Sequence, residues 1–532
     1  MSEVRAAPSD LGRSAGFAAA RAAVRRRGLV HAVLFAAGLA GFAWAYDYAA
    51  VAKLGPVSLH AWRQSDGASL ALSYYENGMR FFEPSVHNVE RDGGRGVGEF
   101  PILYYAVACL YQLFGPDDAL FRLFNFAILA AGLFLFSRAL LRYVPDPWLV
   151  LFPPFLLLSS PLLAFYAFNF LPNTAALGLI LIAAFLYTRF DATQRLGWFW
   201  AASATAALAG SIKVSVLVPF LALVGAAFVL PLLWPRDAWA RRVPRWPHLL
   251  AATALVLGSN AAWYLWARHY NQVNDSTRFL LDARPLWSLP AASIAAIAGV
   301  LFKQRRLYFD LGGHAILAVL TAFLIARTRS LPRLLALVFW MMLLGSAAFV
   351  VLFFGQLRDH PYYVIDVMPF AALVLALGTG ALDRSLRHGL DRWAVRVGLA
   401  LLVLTNTESA ALRMSRYYAL GTFRVPNAYV SLNKREELAR FLRDFGIGAP
   451  DRALVLGDGS PNTALYYLNL HGWSRAKKNL GPNGLARYAA RGARYLVVLA
   501  PPRQTRTGDS PFPTARPIAV FDGRIQFFEL GG

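Results

Sequence analysis

Long apolar runs without charge recur along this chain and constrain its fold more than any other feature. From Leu29 to Ala45 there is one histidine and no formal charge, and from Val214 to Trp234 there is no charge at all. Runs of about 18 or more apolar residues are long enough to cross a bilayer as helices. Over its 532 residues the chain is 57% hydrophobic and only 16% charged, against about 25% charged in soluble domains. It reads as an α-helical polytopic membrane protein.

The candidate spans are 29–51, 119–138, 147–168, 171–188, 196–212, 214–234, 248–268, 311–327, 331–354, 363–383 and 396–416, with weaker apolar stretches at 100–115 and 286–302. Arginine orders them, because basic clusters stay on the cytoplasmic side. With Arg21 and Arg25 to Arg27 inside and both weak stretches interfacial, the clusters at 138–142, 189–195, 236–245, 327–333 and 384–396 all fall inside as well. That arrangement has about eleven transmembrane helices, or thirteen if both weak stretches cross. Residues 1–28 form a cytoplasmic N-terminal segment, 29–416 the transmembrane domain and 417–532 an extracytoplasmic domain. The first outer segment, 52–118, carries juxtamembrane helices, and 66–79 reads as a short surface helix. Ala43-Trp44-Ala45 has the form of a cleavage site, but the run's length and the basic segment before it favour an uncleaved anchor.

The net charge of +23 sits in short clusters between spans, so it orients the chain and implies no nucleic-acid partner. The single cysteine, Cys109, excludes an intrachain disulfide. The tail reads as α/β, with strands at 453–456 and 494–499, a helix at 462–470, and a hairpin pairing 518–521 with 525–528 across Asp522-Gly523.

On this topology the outer face is sparing with charge except around Arg63, Asp66, Glu99, Arg122, Lys213, Arg358, Asp359, His360 and Asp366. Ionisable groups at a membrane surface cost free energy unless paired, hydrated or used. Carboxylates and cations converging on one face suit a site that handles a phosphate and activates a hydroxyl. Each also has a plainer reading. Asp66, in Ser65-Asp66-Gly67, suits a helix N-cap; Lys213 suits an interfacial lysine; Tyr104, Tyr362 and Tyr363 suit a membrane aromatic belt.

The first loop carries HAWRQSD at 60–66 and GEFP at 98–101, followed by Tyr104 and Tyr105. Farther on come HPYY at 360–363, Pro369, and GDGSPNTALYYLNLHGW at 457–473. Together these resemble the GT-C superfamily of membrane glycosyltransferases, in the branch of the protein O-mannosyltransferases and the lipid A aminoarabinose transferase. The resemblance implies a GT-C-like fold and a polyprenyl-phosphate-linked sugar donor used on the outer face. It matches Asp66 to the first-loop acid and Glu99 to the acid before the proline. Lys213 is similar to a lysine near the donor phosphate, and Arg122 to an arginine on the helix after the loop. Phe100 stands where aminoarabinose transferases have a lysine, so phosphate contact falls to Arg63, Arg122, Lys213, Arg358 or His360. Asn173 stands where an acid is expected, which leaves metal binding in doubt.

The chemistry needs these residue types. A sugar hydroxyl is a weak nucleophile, so a carboxylate must take its proton. The lipid-phosphate leaving group gains charge, so cations must meet it. Direct displacement inverts the anomeric centre. Asp66 is the expected base, with Glu99 as its orienting partner or itself the base; Tyr104, Tyr362 and Tyr363 are candidate substrate contacts. The expected function is an inverting glycosyltransferase that moves a monosaccharide from a polyprenyl-phosphate donor to a glycan, lipid or protein acceptor. The expected location is the bacterial inner (plasma) membrane, with the tail periplasmic. No cofactor or metal is implied, and dependence on a divalent cation stays open. The rivals are an oligosaccharide polymerase or ligase and a lipid-linked sugar flippase; the latter would show inverted repeats, which the sequence lacks. The sugar, the acceptor and the oligomeric state are not legible.

Overall fold

A computed structural model describes residues 10–90, 93–277, 279, 283–386, 388–475, 480, 483–499 and 515–531, with side chains from residue 24 onward. Residues 1–9 of the expected cytoplasmic segment lie outside the described residues.

All eleven expected spans are helical, but they differ in kind. Among the described residues eight helices are long and apolar enough to cross a membrane: Val24–Ala45, Asp118–Leu140, Asn173–Thr193, Val214–Leu233, Trp246–Val273, Arg333–Leu352, Pro361–Ser385 and Gly389–Tyr417. Two further candidates are bent pairs, which bring the total to as many as ten. Leu149–Leu158 meets Pro161–Ala167 at 77°, and Ala291–Leu307 meets Leu311–Ala326 at 105°. The first bend has a local cause. Pro161 has no N–H to continue the preceding helix, and Ser160 caps the new one by accepting from the Leu163 amide at 3.3 Å. Leu196–Ile212 and the weak stretch at Ile102–Phe114 form shorter apolar helices.

Small residues let the first spans approach closely, as packing in lipid favours. A Cβ placed at Gly132 would lie 2.3 Å from the Gly178 carbonyl oxygen, and one at Gly178 would lie 2.5 Å from that of Ile128. The helices Asp118–Leu140 and Asn173–Thr193 are therefore held backbone to backbone.

The tail forms a five-stranded mixed sheet in the order β2-β1-β3-β5-β4. Its strands are β1 (Arg452–Leu456), β2 (His471–Arg475), β3 (Tyr495–Leu499), β4 (Ala515–Phe521) and β5 (Ile525–Leu530). β1 runs parallel to β2 and β3, while β5 is antiparallel to β3 and β4. The hairpin turn falls on Asp522 and Gly523, both at positive φ (49° and 62°), the conformation a tight two-residue turn requires. Val455 and Val497 lie side by side, and both are fully buried.

This sheet docks directly on the first loop. The Val89 amide donates to the Gly472 carbonyl at 2.8 Å, and the Gly472 amide donates to that of His87 at 3.0 Å. Asn88 thus runs parallel beside β2. Ser65 Oγ donates to Thr463 Oγ1 at 2.8 Å, and Arg435 reaches Asp118, at the start of its span, at 2.7 Å. The tail thereby covers the Ala61–Glu76 helix.

Candidate active site

That helix differs from its expectation. It starts at Ala61 rather than Asp66 and is buried from Gln64 to Tyr74, so it is no surface helix. The start is set by tertiary bonds: Gln64 Nε2 donates to the carbonyls of Val57 and Leu59, each at 2.7 Å. Asp66 consequently lies inside the helix, 2% exposed, and is not its cap. It follows Arg63 by three residues, so both lie on one helix face. Gly67 permits this burial, because a Cβ there would stand 2.8 Å from the Phe170 carbonyl oxygen.

Glu99 sits on a stretch of chain pinned at several points. Asn271 pairs with both main-chain groups of Val97, accepting from the amide at 2.9 Å and donating to the carbonyl at 2.8 Å. Trp263 Nε1 donates to the Gly98 carbonyl at 3.2 Å, and the Phe100 amide donates to that of Ser211 at 3.0 Å. So held, Glu99 Oε1 accepts from the Arg63 guanidinium and from the Tyr104 hydroxyl. Burial pushes the Glu99 carboxyl up, but Arg63, the Tyr104 hydroxyl and Lys213 outweigh it and hold it below the usual carboxylate range. Arg63 and Glu99 keep 13% and 16% of their side chains exposed. The other terminal nitrogen of Arg63, Nη1, is buried and finds no partner among the described residues. A buried guanidinium nitrogen left without an acceptor is costly.

Lys213 occupies the extended break between the Leu196–Ile212 helix and the turn at Val214–Leu217. Its Nζ lies 4.1 Å from the centroid of the Tyr363 ring. Among the described residues it forms no ion pair. Nearby, the carboxylate of Asp366 accepts from Asn173 Nδ2 at 2.9 Å and from Ser215 Oγ at 2.6 Å. Asp366, one of the charges expected on the outer face, thus lies buried against Asn173 and Ser215 from other spans.

A ring of aromatic and imidazole groups borders these charges. His60 accepts from the Tyr166 hydroxyl at 2.6 Å through Nδ1 and donates to the Asp359 carbonyl at 2.8 Å through Nε2. Tyr362 packs 5.0 Å from the His60 ring, and Tyr363 stacks 5.5 Å from that of His360. Burial, then the neighbouring His60, holds the His360 imidazole down to about 4. Sequence reasoning missed His60, although it opens the HAWRQSD motif.

Arg63, Glu99, Tyr104, Lys213, His360, Tyr362 and Tyr363 come together; two expected cations do not join them in the same way. Arg122 is fully buried and directs its donors at the carbonyls of Leu54, Gly55 and Phe168, between 2.7 and 3.2 Å. Its guanidinium bonds to backbone carbonyls, so among the described residues Arg122 stands apart from Arg63 and Lys213. Arg358 has a 59% exposed side chain, 3.4 Å from Asp359, and lies at the rim. Tyr104 joins the cluster through its hydroxyl, which donates to Glu99. Among the described residues no three His, Cys, Asp or Glu side chains gather closely enough to hold a metal ion.

No family model matches the sequence, and no curated protein does. Solved structures do match. ArnT from Cupriavidus metallidurans bound to undecaprenyl phosphate superposes with a TM-score of 0.56 at 14% identity, over 91% of this chain and 98% of that one. Its apo state gives 0.56 at 16% identity, over 92% and 98%. Arabinofuranosyltransferase AftD from Mycobacteria covers 92% of this chain and 40% of that chain, with a TM-score of 0.48 at 16% identity. The chain shares the fold of ArnT; here it consists of a helical domain followed by a small sheet domain.

Proposed function

We propose that this protein is a membrane glycosyltransferase that takes a monosaccharide from a polyprenyl-phosphate donor and gives it to an acceptor hydroxyl with inversion. The observation that carries this reading is the unmatched Arg63 Nη1, beside an ionised Glu99 and a Lys213 that forms no ion pair among the described residues. This is what a phosphate and a reacting hydroxyl require together. The binding of undecaprenyl phosphate by ArnT, which shares the fold, supports the lipid-phosphate donor.

In this mechanism Glu99 accepts the proton of the acceptor hydroxyl as its oxygen bonds to the anomeric carbon. The bond from that carbon to the phosphate oxygen breaks, and the polyprenyl phosphate leaves with the electron pair. Arg63 and Lys213 meet its growing charge. Asp66 is the base first expected; this reading favours Glu99, whose side chain keeps 16% exposure. Asp66 is almost wholly buried, and its negative charge adds to the field around Arg63, which makes it a positioning residue. Tyr362, Tyr363 and His360 offer ring faces to the sugar.

The test is consumption of a panel of polyprenyl-phosphate monosaccharides by the purified protein, with an envelope extract as acceptor source. The reading expects one donor to be consumed, with free polyprenyl phosphate released and a product of opposite anomeric configuration. A retained configuration contradicts the mechanism, and consumption of no donor contradicts the function.

A further inference from the structure

The helix Ala291–Gln304 is apolar but almost unpacked. Ile297 is its one buried residue, and no charge precedes Lys303. A helix that is apolar all round needs a nonaqueous surrounding. The helix has 14 residues. It meets the Leu311–Ala326 helix at 105°. With Leu311–Ala326 crossing the bilayer, that bend lays the first helix close to the membrane plane. Trp287, before the helix, and Phe302, in its last turn, are 68% and 65% exposed, as interfacial aromatic anchors are.

Its carboxyl end is basic. Lys303, Arg305 and Arg306 fall within four positions, and Lys303 and Arg306 are exposed. Arg305 folds over the Phe302 ring, 3.9 Å from its centroid, and donates to the Phe302 carbonyl at 2.5 Å. Gln304 Nε2 donates to the Arg358 carbonyl at 3.3 Å, which ties this end to the exposed Arg358 and to the rim of the site. Among the described residues Lys303, Arg305 and Arg306 form no ion pair. The nearest acid after them, Asp310, caps the next helix by accepting from the Gly313 amide at 2.7 Å. Arg–phosphate bonding is strong and geometrically specific, and each basic residue near an anionic leaflet strengthens attachment about fivefold.

We propose that Ala291–Gln304 lies in the plane of the membrane on the face that carries the site, and that Lys303, Arg305 and Arg306, with Arg358, bind the phosphate headgroup of an anionic membrane lipid. The lipid so held lines the side of the site two residues from His360. The proposal is independent of which donor the site consumes.

The test uses full-length protein in phosphatidylcholine bilayers with and without phosphatidylglycerol, extracted into mild detergent, with retained lipid counted by native mass spectrometry. The wild type keeps phosphatidylglycerol in preference to phosphatidylcholine. The triple variant Lys303→Gln, Arg305→Gln, Arg306→Gln keeps at least about tenfold less, while its melting temperature in neutral detergent is unchanged. Equal retention by the variant overturns the proposal. So does complete displacement of phosphatidylglycerol by inorganic phosphate, which would show a site for a free anion. A fluorophore on Ala296→Cys in a Cys109→Ala background reads depth without the triple variant. Quenching by nitroxide lipids near the headgroups is expected; quenching by an aqueous agent alone overturns the membrane placement.

Discussion

Asn173 donates its side-chain amide to Asp366 across 2.9 Å, which joins the first turn of one span to a turn of another, 193 residues on. The pair is buried, with Asn173 2% and Asp366 1% exposed. Asn173→Ala leaves a buried carboxylate oxygen without that donor and is expected to cost about 1 to 3 kcal/mol. Asn173→Asp sets two carboxylates side by side and costs more. Thermal unfolding in detergent checks both; equal melting temperatures for the wild type and both variants would contradict the assignment.

Asn271 fixes the main chain two residues before Glu99. Asn271→Ala is expected to lower the rate of donor consumption by about 10- to 100-fold, the scale of a misplacement of about 1 Å, with little change in donor KM. Steady-state kinetics on the donor separates the two quantities. A change in KM alone would mean that the Val97 contact serves binding and not the placement of Glu99.

The acid limb of the pH–rate profile depends on Arg63. Burial alone would raise the Glu99 carboxyl, and Arg63 is the strongest influence against it. Arg63→Gln is expected to move the acid limb to higher pH, besides weakening the donor. An acid limb that stays in place would detach Glu99 from the rate.

His87 links the first loop to the tail. It bonds to Ser69 at 2.6 Å and to Asn469 at 2.9 Å, and its ring stacks 5.0 Å from that of His471. Burial, and then His471, hold its imidazole down to about 3 from an ordinary value of 6.5. A histidine lowered on folding takes up its proton in the unfolded chain first, so stability is full above pH 6.5 and falls as pH drops toward 3. The loss from His87 is about 1 kcal/mol at pH 5.5. Unfolding measured from pH 7.5 to 5 is expected to show this slope, flattened in His87→Gln; an unchanged slope in the variant would contradict it.

Arg122 tests the difference between a clamp and a ligand. Arg122→Gln is expected to destabilise the fold by about 2 to 4 kcal/mol, since the carbonyls of Leu54, Gly55 and Phe168 lose their donor. Donor KM in the surviving protein should be unchanged. A raised KM with normal stability would restore the phosphate role.

The membrane architecture was legible because apolar length is a local property, and the hairpin because Asp522-Gly523 carries its own turn chemistry. The start of the Ala61–Glu76 helix was not legible, since Gln64 fixes it by reaching back to Val57 and Leu59. Nor were the contacts of Arg122: a cation at the end of a span looks the same in sequence whatever carbonyls it meets. Asp366 could be placed on the outer face but not paired, because its partners Asn173 and Ser215 come from other spans. Only the fold decides such pairings.

The proposed glycosyl transfer depends most on Glu99 acting beside Arg63 and Lys213. Its most direct test is single-turnover release of polyprenyl phosphate from the donor that the wild type consumes, compared in Glu99→Gln and Asp66→Asn. A loss of about a hundredfold or more in Glu99→Gln, with donor binding retained and a smaller loss in Asp66→Asn, is the predicted result. Near-normal release in Glu99→Gln, with abolition in Asp66→Asn, would contradict it and return the base to Asp66.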